Sequence, residues 1–172
     1  MSHQIDPLIT AEQIATRIAE MGAQIREAVG DGPIVAVGVL KGSFLFLADL
    51  VRQIPGDVRI EFLGVASYHG TESSGVVRIT HDLQTSVDGA HLLVVEDIVD
   101  TGLTLDFLLR TLECKGPASL HVAALLDKPS RRRVDVPVHF VGFTIPDAFV
   151  VGYGLDLDQR YRNLPYVGIY RP

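Results

Sequence analysis

The stretch VVEDIVDTGLTL, residues 94–105, concentrates chemistry in a short span. An apolar run leads into Glu96 and Asp97, two apolar residues follow, and then come Asp100, Thr101, Gly102, Leu103 and Thr104. A glycine flanked by hydroxyls, placed where a strand gives way to a helix, lets backbone N–H groups approach an anion closely, and the Thr hydroxyls add donors. That half of the segment makes a phosphate cradle. Carboxylates beside a phosphate repel it, so the acids must bind neutral hydroxyls or meet the phosphate through a divalent cation. A sugar phosphate with Mg²⁺ satisfies both cases, because Mg²⁺ prefers oxygen ligands and joins one or two carboxylates to substrate phosphates. The plainer alternative is that Glu96, Asp97 and Asp100 cap a helix and face water.

The surrounding elements must hold this segment at a sheet edge. Thr10 and Gln13 form the pattern of a capping box, and Ile14, Ile18, Met21, Ile25 and Val29 then recur at helical spacing until Gly30-Asp31-Gly32-Pro33 stops them. IVAVGVL (34–40) reads as a strand covered on both faces, and KGSFLFLADLVRQI (41–54) returns to helical periodicity. VRIEFLGVASY (58–68) and VVRIT (76–80) read as strands around a small, polar, mobile excursion, HGTESSGVV (69–77). HLLVVEDIV (91–99) as strand, TLDFLLRTLECKG (104–116) as helix and SLHVAALLD (119–127) as strand complete a β-α-β alternation. From residue 134 onward, VHFVGFTIP, AFVVGYGL and YVGIYRP read as short strands. The class is α/β with a mainly parallel sheet flanked by helices, and in such sheets ligands bind beyond the carboxyl ends of the strands. The opening segment lies there.

With 172 residues, the chain fits one domain spanning 1–172. A formal charge of −6 provides no general field for polyanions, so we expect no nucleic-acid partner and a local site for any anion. Neither a secretory signal nor an apolar run long enough for a membrane span is present, which predicts a cytoplasmic protein without a membrane partner. The single cysteine, Cys114, reads as a helix-surface or half-buried thiol. The six histidines show no metal-ligand spacing.

The segment from the apolar run through Asp-Thr-Gly-x-Thr resembles the phosphoribosyl diphosphate (PRPP) signature of the type I phosphoribosyltransferases. LKGS (40–43), SY (67–68), DK (127–128) and FVGFTIPDAFVVGYGLDLDQRYRNLPYVGIY (140–170) are similar to the hypoxanthine-guanine branch of that family. The resemblance implies a small hood built from the N- and C-terminal segments, a mobile loop at about 68–77, Mg²⁺ as cofactor, and PRPP and a 6-oxopurine as small-molecule substrates. It also implies a homodimer or homotetramer. Glu96 and Asp97 would hold ribose hydroxyls and Mg²⁺, with Asp156 as a further metal ligand. Asp100, Thr101, Gly102, Leu103 and Thr104 would hold the 5′-phosphate, and Asp100 would face the purine N7 as general base. Lys41, Gly42 and Arg162 would contact diphosphate, with a cis bond between Leu40 and Lys41. Lys128 would donate to the purine 6-oxo group, Phe149 would stack on the ring, and Val150 would offer main-chain contacts. Ser67 and Tyr68 would form the lid.

Without the resemblance, Lys128 reads as a solvated loop lysine, Phe149 as core, and Arg131, Arg132 and Arg133 as a surface cluster. Leu103 and Ala148 stand where some members carry lysine. Two other classes compete. A nucleotide-sensing regulator of the same fold would be expected to show a basic face, and a nucleoside triphosphatase would need a Gly-x-x-x-x-Gly-Lys-Ser/Thr loop that the chain lacks. Hypoxanthine, guanine and xanthine differ at the 2-position, which residues near 150–156 would read.

Overall fold

The capping box at Thr10 forms as its spacing predicts. Gln13 N–H donates to the Thr10 hydroxyl at 3.2 Å, and Thr10 N–H donates to the Gln13 side chain at 2.8 Å. Helix Ala11–Val29 (α1) then buries Ile14, Ile18, Met21 and Ile25 along one face. Gly30 ends it at a φ of 79°. The computed structural model describes residues 4–67 and 77–172. Tyr68 and the expected mobile loop, save Val77 at its end, lie outside the described residues.

Before α1 comes a strand, Gln4–Ile9 (β1), and after it the order is Ile34–Leu40 (β2), Phe44–Val51 (α2), Val58–Ser67 (β3), Val77–His81 (β4), His91–Val99 (β5), Leu103–Glu113 (α3), Ser119–Asp127 (β6), Phe140–Thr144 (β7), Val150–Val151 (β8) and Val167–Arg171 (β9). Six strands form the main sheet in the order β4-β3-β2-β5-β6-β7. All its pairings are parallel except β3 with β4. A smaller antiparallel sheet, β1-β9-β8, joins strands from both ends of the chain.

Leu92, Leu93, Val94 and Val95 of β5 are each at most 1% exposed, so this strand is covered on both faces. Alternation divides them. Leu93 and Val95 pack with the buried faces of α1 and α2, while Leu92 and Val94 pack with Leu105, Leu108 and Leu112 of α3. Each such side chain contributes roughly 1.5–3 kcal/mol by leaving water, which makes β5 the most firmly held place from which to project a site.

Three segments differ from the sequence reading. β1 was not predicted, because its polar residues and Pro7 disguise it; as an edge strand it tolerates a proline, and its register slips between Pro7 and Ile9. α2 is shorter than 41–54, since Lys41 to Ser43 form the loop before it. AFVVGYGL yields only the two residues of β8 as strand: Gly152 and Gly154 take φ values of 98° and 99°, Tyr153 takes 47°, and the chain turns instead.

At the other end of the sheet, His139 substitutes for strand backbone. Its N–H donates to Val122 O at 3.0 Å, and Val122 N–H donates to its ring Nδ1 at 3.0 Å. The His121 ring lies 5.0 Å away. Burial lowers the pKa of both rings, and charge on His139 and His91 would lower that of His121 further. A base whose folded pKa is depressed leaves stability intact above its unfolded pKa, about 6.5, and removes it as pH falls below that. We therefore expect the urea midpoint to fall between pH 7 and pH 5, and to fall less steeply in His139→Gln, whose amide oxygen keeps an acceptor for Val122. Equal slopes in the two proteins would refute this.

Candidate active site

β5 carries its last residues out of the core at the carboxyl edge of the sheet. Glu96 is 7% exposed, Asp97 is half-buried, and Asp97 Oδ1 accepts from Ile98 N–H at 2.9 Å. Asp100 to Gly102 turn the chain, Gly102 takes a φ of 85°, and α3 begins at Leu103, whose N–H donates to the Thr101 hydroxyl at 3.4 Å while the next amides of the first turn lack intrahelical partners. Ile98, Val99, Asp100, Thr101, Gly102 and Thr104 line a recess of about 90 Å³ together with Glu96.

A second loop braces that turn from behind. Arg133 and Val134 N–H both donate to Thr101 O, at 2.9 and 3.2 Å. The Arg132 guanidinium donates to Asp100 O at 3.2 Å and to the Asp127 carboxylate. A Cβ on Gly102 would stand 2.7 Å from Val134 O, so only glycine lets the two loops touch. Arg132 is thus structural, contrary to the surface reading of Arg131 to Arg133. No local pattern signals its pairing with Asp127, which depends on the loop after β6 folding back on that strand's end.

On the opposite side, the loop after β2 closes against the acids. Leu40–Lys41 is a cis peptide. A Cβ on Gly42 would lie 1.6 Å from Asp97 Oδ2, and one on Gly154 would lie 2.0 Å from Gly42 O. The three segments interlock through absent side chains. Arg162 donates to Gly154 O at 2.7 Å and pairs with Asp156 at 2.8 Å. Lys41 Nζ and Arg162 both donate to the Gln159 side chain, at 3.3 and 3.2 Å; nothing in the sequence marked Gln159. Lys41, Gly42, Glu96, Asp97, Thr104, Asp156 and Arg162 line one opening of about 290 Å³. Glu96, Ile98 and Thr104 also line the smaller recess, so the two adjoin across a shared wall.

Lys128 is 7% exposed rather than solvated, and its Nζ donates to Ala148 O at 2.6 Å. Phe149 is 53% exposed rather than core, with its ring 6.1 Å from that of Tyr170. Val150 is buried beside it in β8. Ser67 ends β3, and its side chain lies outside the described residues.

The family model for the phosphoribosyl transferase domain matches residues 5–158. The chain belongs to the phosphoribosyltransferase family. Within that family it is 52% identical to the hypoxanthine phosphoribosyltransferase of Haemophilus influenzae, over 96% of this chain and 95% of that protein. It is 47% identical to the hypoxanthine-guanine phosphoribosyltransferase of Bacillus subtilis, over 100% of this chain and 97% of that one. A crystal structure of the hypoxanthine-guanine phosphoribosyltransferase of Bacillus anthracis superimposes with a TM-score of 0.93 at 42% identity, covering 99% of this chain and 100% of that one.

Members of this phosphoribosyltransferase family use Mg²⁺ with PRPP. The donor set here fits such an ion. No cluster of three protein groups able to hold a metal occurs among the described residues, whereas two neighbouring carboxylates stand without an ion-pair partner there. A cation that draws its remaining ligands from substrate and water suits that arrangement. Burial pushes the Glu96 carboxyl well above its usual range, and the adjacent Asp97 charge adds to the effect. Burial likewise lifts Asp97 to about 6, against the downward pull of the Ile98 N–H and Arg162.

A carboxyl with a raised folded pKa destabilises the fold wherever it must ionise, above that pKa, and costs nothing once protonated in both states. Asp97→Asn keeps the acceptor for Ile98 and removes the charge. Without divalent cations it should raise the unfolding free energy at pH 8 by roughly 1–3 kcal/mol, a gain that fades as pH falls from 6 to 4. Urea unfolding at the two pH values checks this, and a variant less stable at pH 8 would show that the charge is compensated.

Proposed function

We propose that this chain is a Mg²⁺-dependent purine-salvage enzyme that transfers the phosphoribosyl group of PRPP to hypoxanthine, and to guanine, giving IMP or GMP and diphosphate. The observation that carries the reading is the convergence of an acidic pair, a helix-start phosphate cradle and the Lys41–Gly42 and Arg162 groups on two adjoining openings. Identities of 47–52% over nearly the whole chain with proteins named for that activity support it. We read residues 1–172 as one catalytic unit.

In the reaction the C1–O bond to diphosphate breaks with its electron pair and a C1–N bond to the purine forms, through a ribose that resembles an oxocarbenium ion. Positioning and charge stabilisation then dominate the barrier. The amides and hydroxyls of residues 100–104 hold the 5′-phosphate, and Glu96 and Asp97 bind the ribose hydroxyls. Glu96 and Asp97 would hold Mg²⁺, with Asp156 facing the ion from across the opening, and the bound ion would supply positive charge to offset that of the departing diphosphate. Lys41, Gly42 and Arg162 receive that diphosphate, a task to which the donor fork of Arg is suited. Ser67 and Tyr68 would close over the site and limit hydrolysis.

Asp100 accepts from the purine N7 as positive charge grows on the ring. Lys128 donates to the 6-oxo group, which disfavours adenine, because an amino group there offers hydrogen where an acceptor is needed. Phe149, exposed beside Lys128, stacks on the ring. Phe44, Ile60 and Phe62, at 40, 48 and 37% exposed, supply apolar surface that supports a homodimer or homotetramer. Among the described residues no helix is long and apolar enough to cross a membrane. The single cysteine and acidic balance support a cytoplasmic site of action.

Incubating the protein with PRPP, Mg²⁺ and each purine, and following nucleotide by chromatography, tests the reading. Hypoxanthine and guanine should be converted and adenine at least 100-fold more slowly; conversion of no 6-oxopurine would end it. Asp100→Ala should lower kcat by about 10²–10⁴-fold with the PRPP KM changed far less, and a normal turnover rate would remove its role as base. Phe149→Ala should raise the purine KM by roughly tenfold or more while sparing the PRPP KM, as loss of one stacking face implies. Steady-state kinetics in both substrates separate these outcomes.

A further inference from the structure

Arg131 stands between the two groups assigned to the purine edge. Its Nε donates to Asp100 Oδ1 at 3.1 Å, and its Nη1 lies 3.5 Å from Asp147 Oδ2. The other Asp147 oxygen lies 3.9 Å from Lys128 Nζ, the same amine that donates to Ala148 O. One guanidinium therefore spans from the turn after β5 to the turn before β8. The 3₁₀ turn Pro129–Arg131, closed by Arg131 N–H donating to Lys128 O at 3.1 Å, sets the spacing between the two cations.

The side chains of Arg131, Asp100 and Asp147 are 46, 40 and 55% exposed. Ion pairs as open as these add only about 0–1 kcal/mol to stability, so the bridge has little value as a fold contact. Its geometry has another use. Asp100 Oδ2 accepts no hydrogen bond from the described residues, which leaves one oxygen held and the other presented. We propose that Arg131 is a positioning residue: by joining Asp100 to Asp147 it aims the open oxygen of Asp100 at the purine and keeps Lys128 and Phe149 in register with it. This rests on the purine-site reading above. A lysine at 131 would keep the charge but could reach only one carboxylate, whereas the arginine fork reaches both.

The test uses the full chain with hypoxanthine, PRPP and Mg²⁺, comparing Arg131→Gln, Arg131→Lys, Asp147→Asn and the Arg131→Gln/Asp147→Asn double variant, with Asp100→Ala as control. Arg131→Gln should lower kcat about tenfold, or about 1.4 kcal/mol of barrier, with the PRPP KM within about twofold. Arg131→Lys should match it. Asp147→Asn should lower kcat about threefold, and the double variant should be no slower than Arg131→Gln, because both act through one bridge. Urea midpoints should not move.

An unchanged kcat in Arg131→Gln, full recovery in Arg131→Lys, multiplicative losses in the double variant, or losses that track lowered stability would each overturn the proposal. A hypoxanthine KM that falls in Arg131→Gln at unchanged kcat would overturn it too, since the arginine would then merely compete for Asp100. Full activity in Asp100→Ala would defeat the assignment of the base, and this proposal with it. An impaired Asp100→Ala beside a normal Arg131→Gln would defeat the arginine's role alone.

Discussion

A buried and a half-buried carboxylate side by side at the end of β5, with no protein cation paired to either among the described residues, are the constraint on which the site depends. A fold seldom keeps such a pair unless something outside the protein neutralises it, because the repulsion and lost hydration act against folding whenever the groups ionise. Their surroundings are arranged around that deficit. Gly42 leaves room for Asp97 where any Cβ would collide, and Gly154 leaves room for Gly42. Arg162, whose charge pulls on Asp97, is itself committed to Asp156 and Gly154. On the function proposed above, the acids are left to a cation and a sugar.

That deficit is tolerable because of what β5 does along the rest of its length. Its first residue, His91, bonds Ser119 at the far edge, and its middle is closed on both faces. Parallel pairing to β2 and β6 fixes its register on both sides. Strand ends placed by a core of this kind move little when charge appears on them, and charge stabilisation in a transition state requires such fixed groups.

How much of this was legible in the sequence follows from the range over which each interaction acts. The capping box, the α1 face and the glycine turn into α3 rest on neighbours a few residues apart, and their spacing announces them. The parallel sheet was legible from alternation of strand and helix. β1 and the turns after β8 were not, since the first is stabilised by a partner more than 150 positions away and the second by glycines with left-handed backbone. Within the site, residue type misled where tertiary contact overrode it. Lysine ordinarily seeks water and phenylalanine ordinarily avoids it, yet Lys128 is buried against Ala148 O and Phe149 is open. Only the resemblance of the surrounding motifs pointed to that inversion.

On the purine-site reading proposed above, the inversion at Lys128 and Phe149 matches what a flat heterocycle demands. A ring with one polar edge and two apolar faces needs a donor that does not reorient in water and an aromatic surface that is not already covered. Burying the lysine stem fixes its ammonium on a backbone carbonyl, and exposing the phenylalanine leaves one of its faces free. The side chains of Arg132 and Asp127, tied behind the phosphate turn, join β6 to that turn. The strand that leads into Lys128 and the strand that leads into Asp100 are thereby held at one spacing, set by the protein before any substrate arrives.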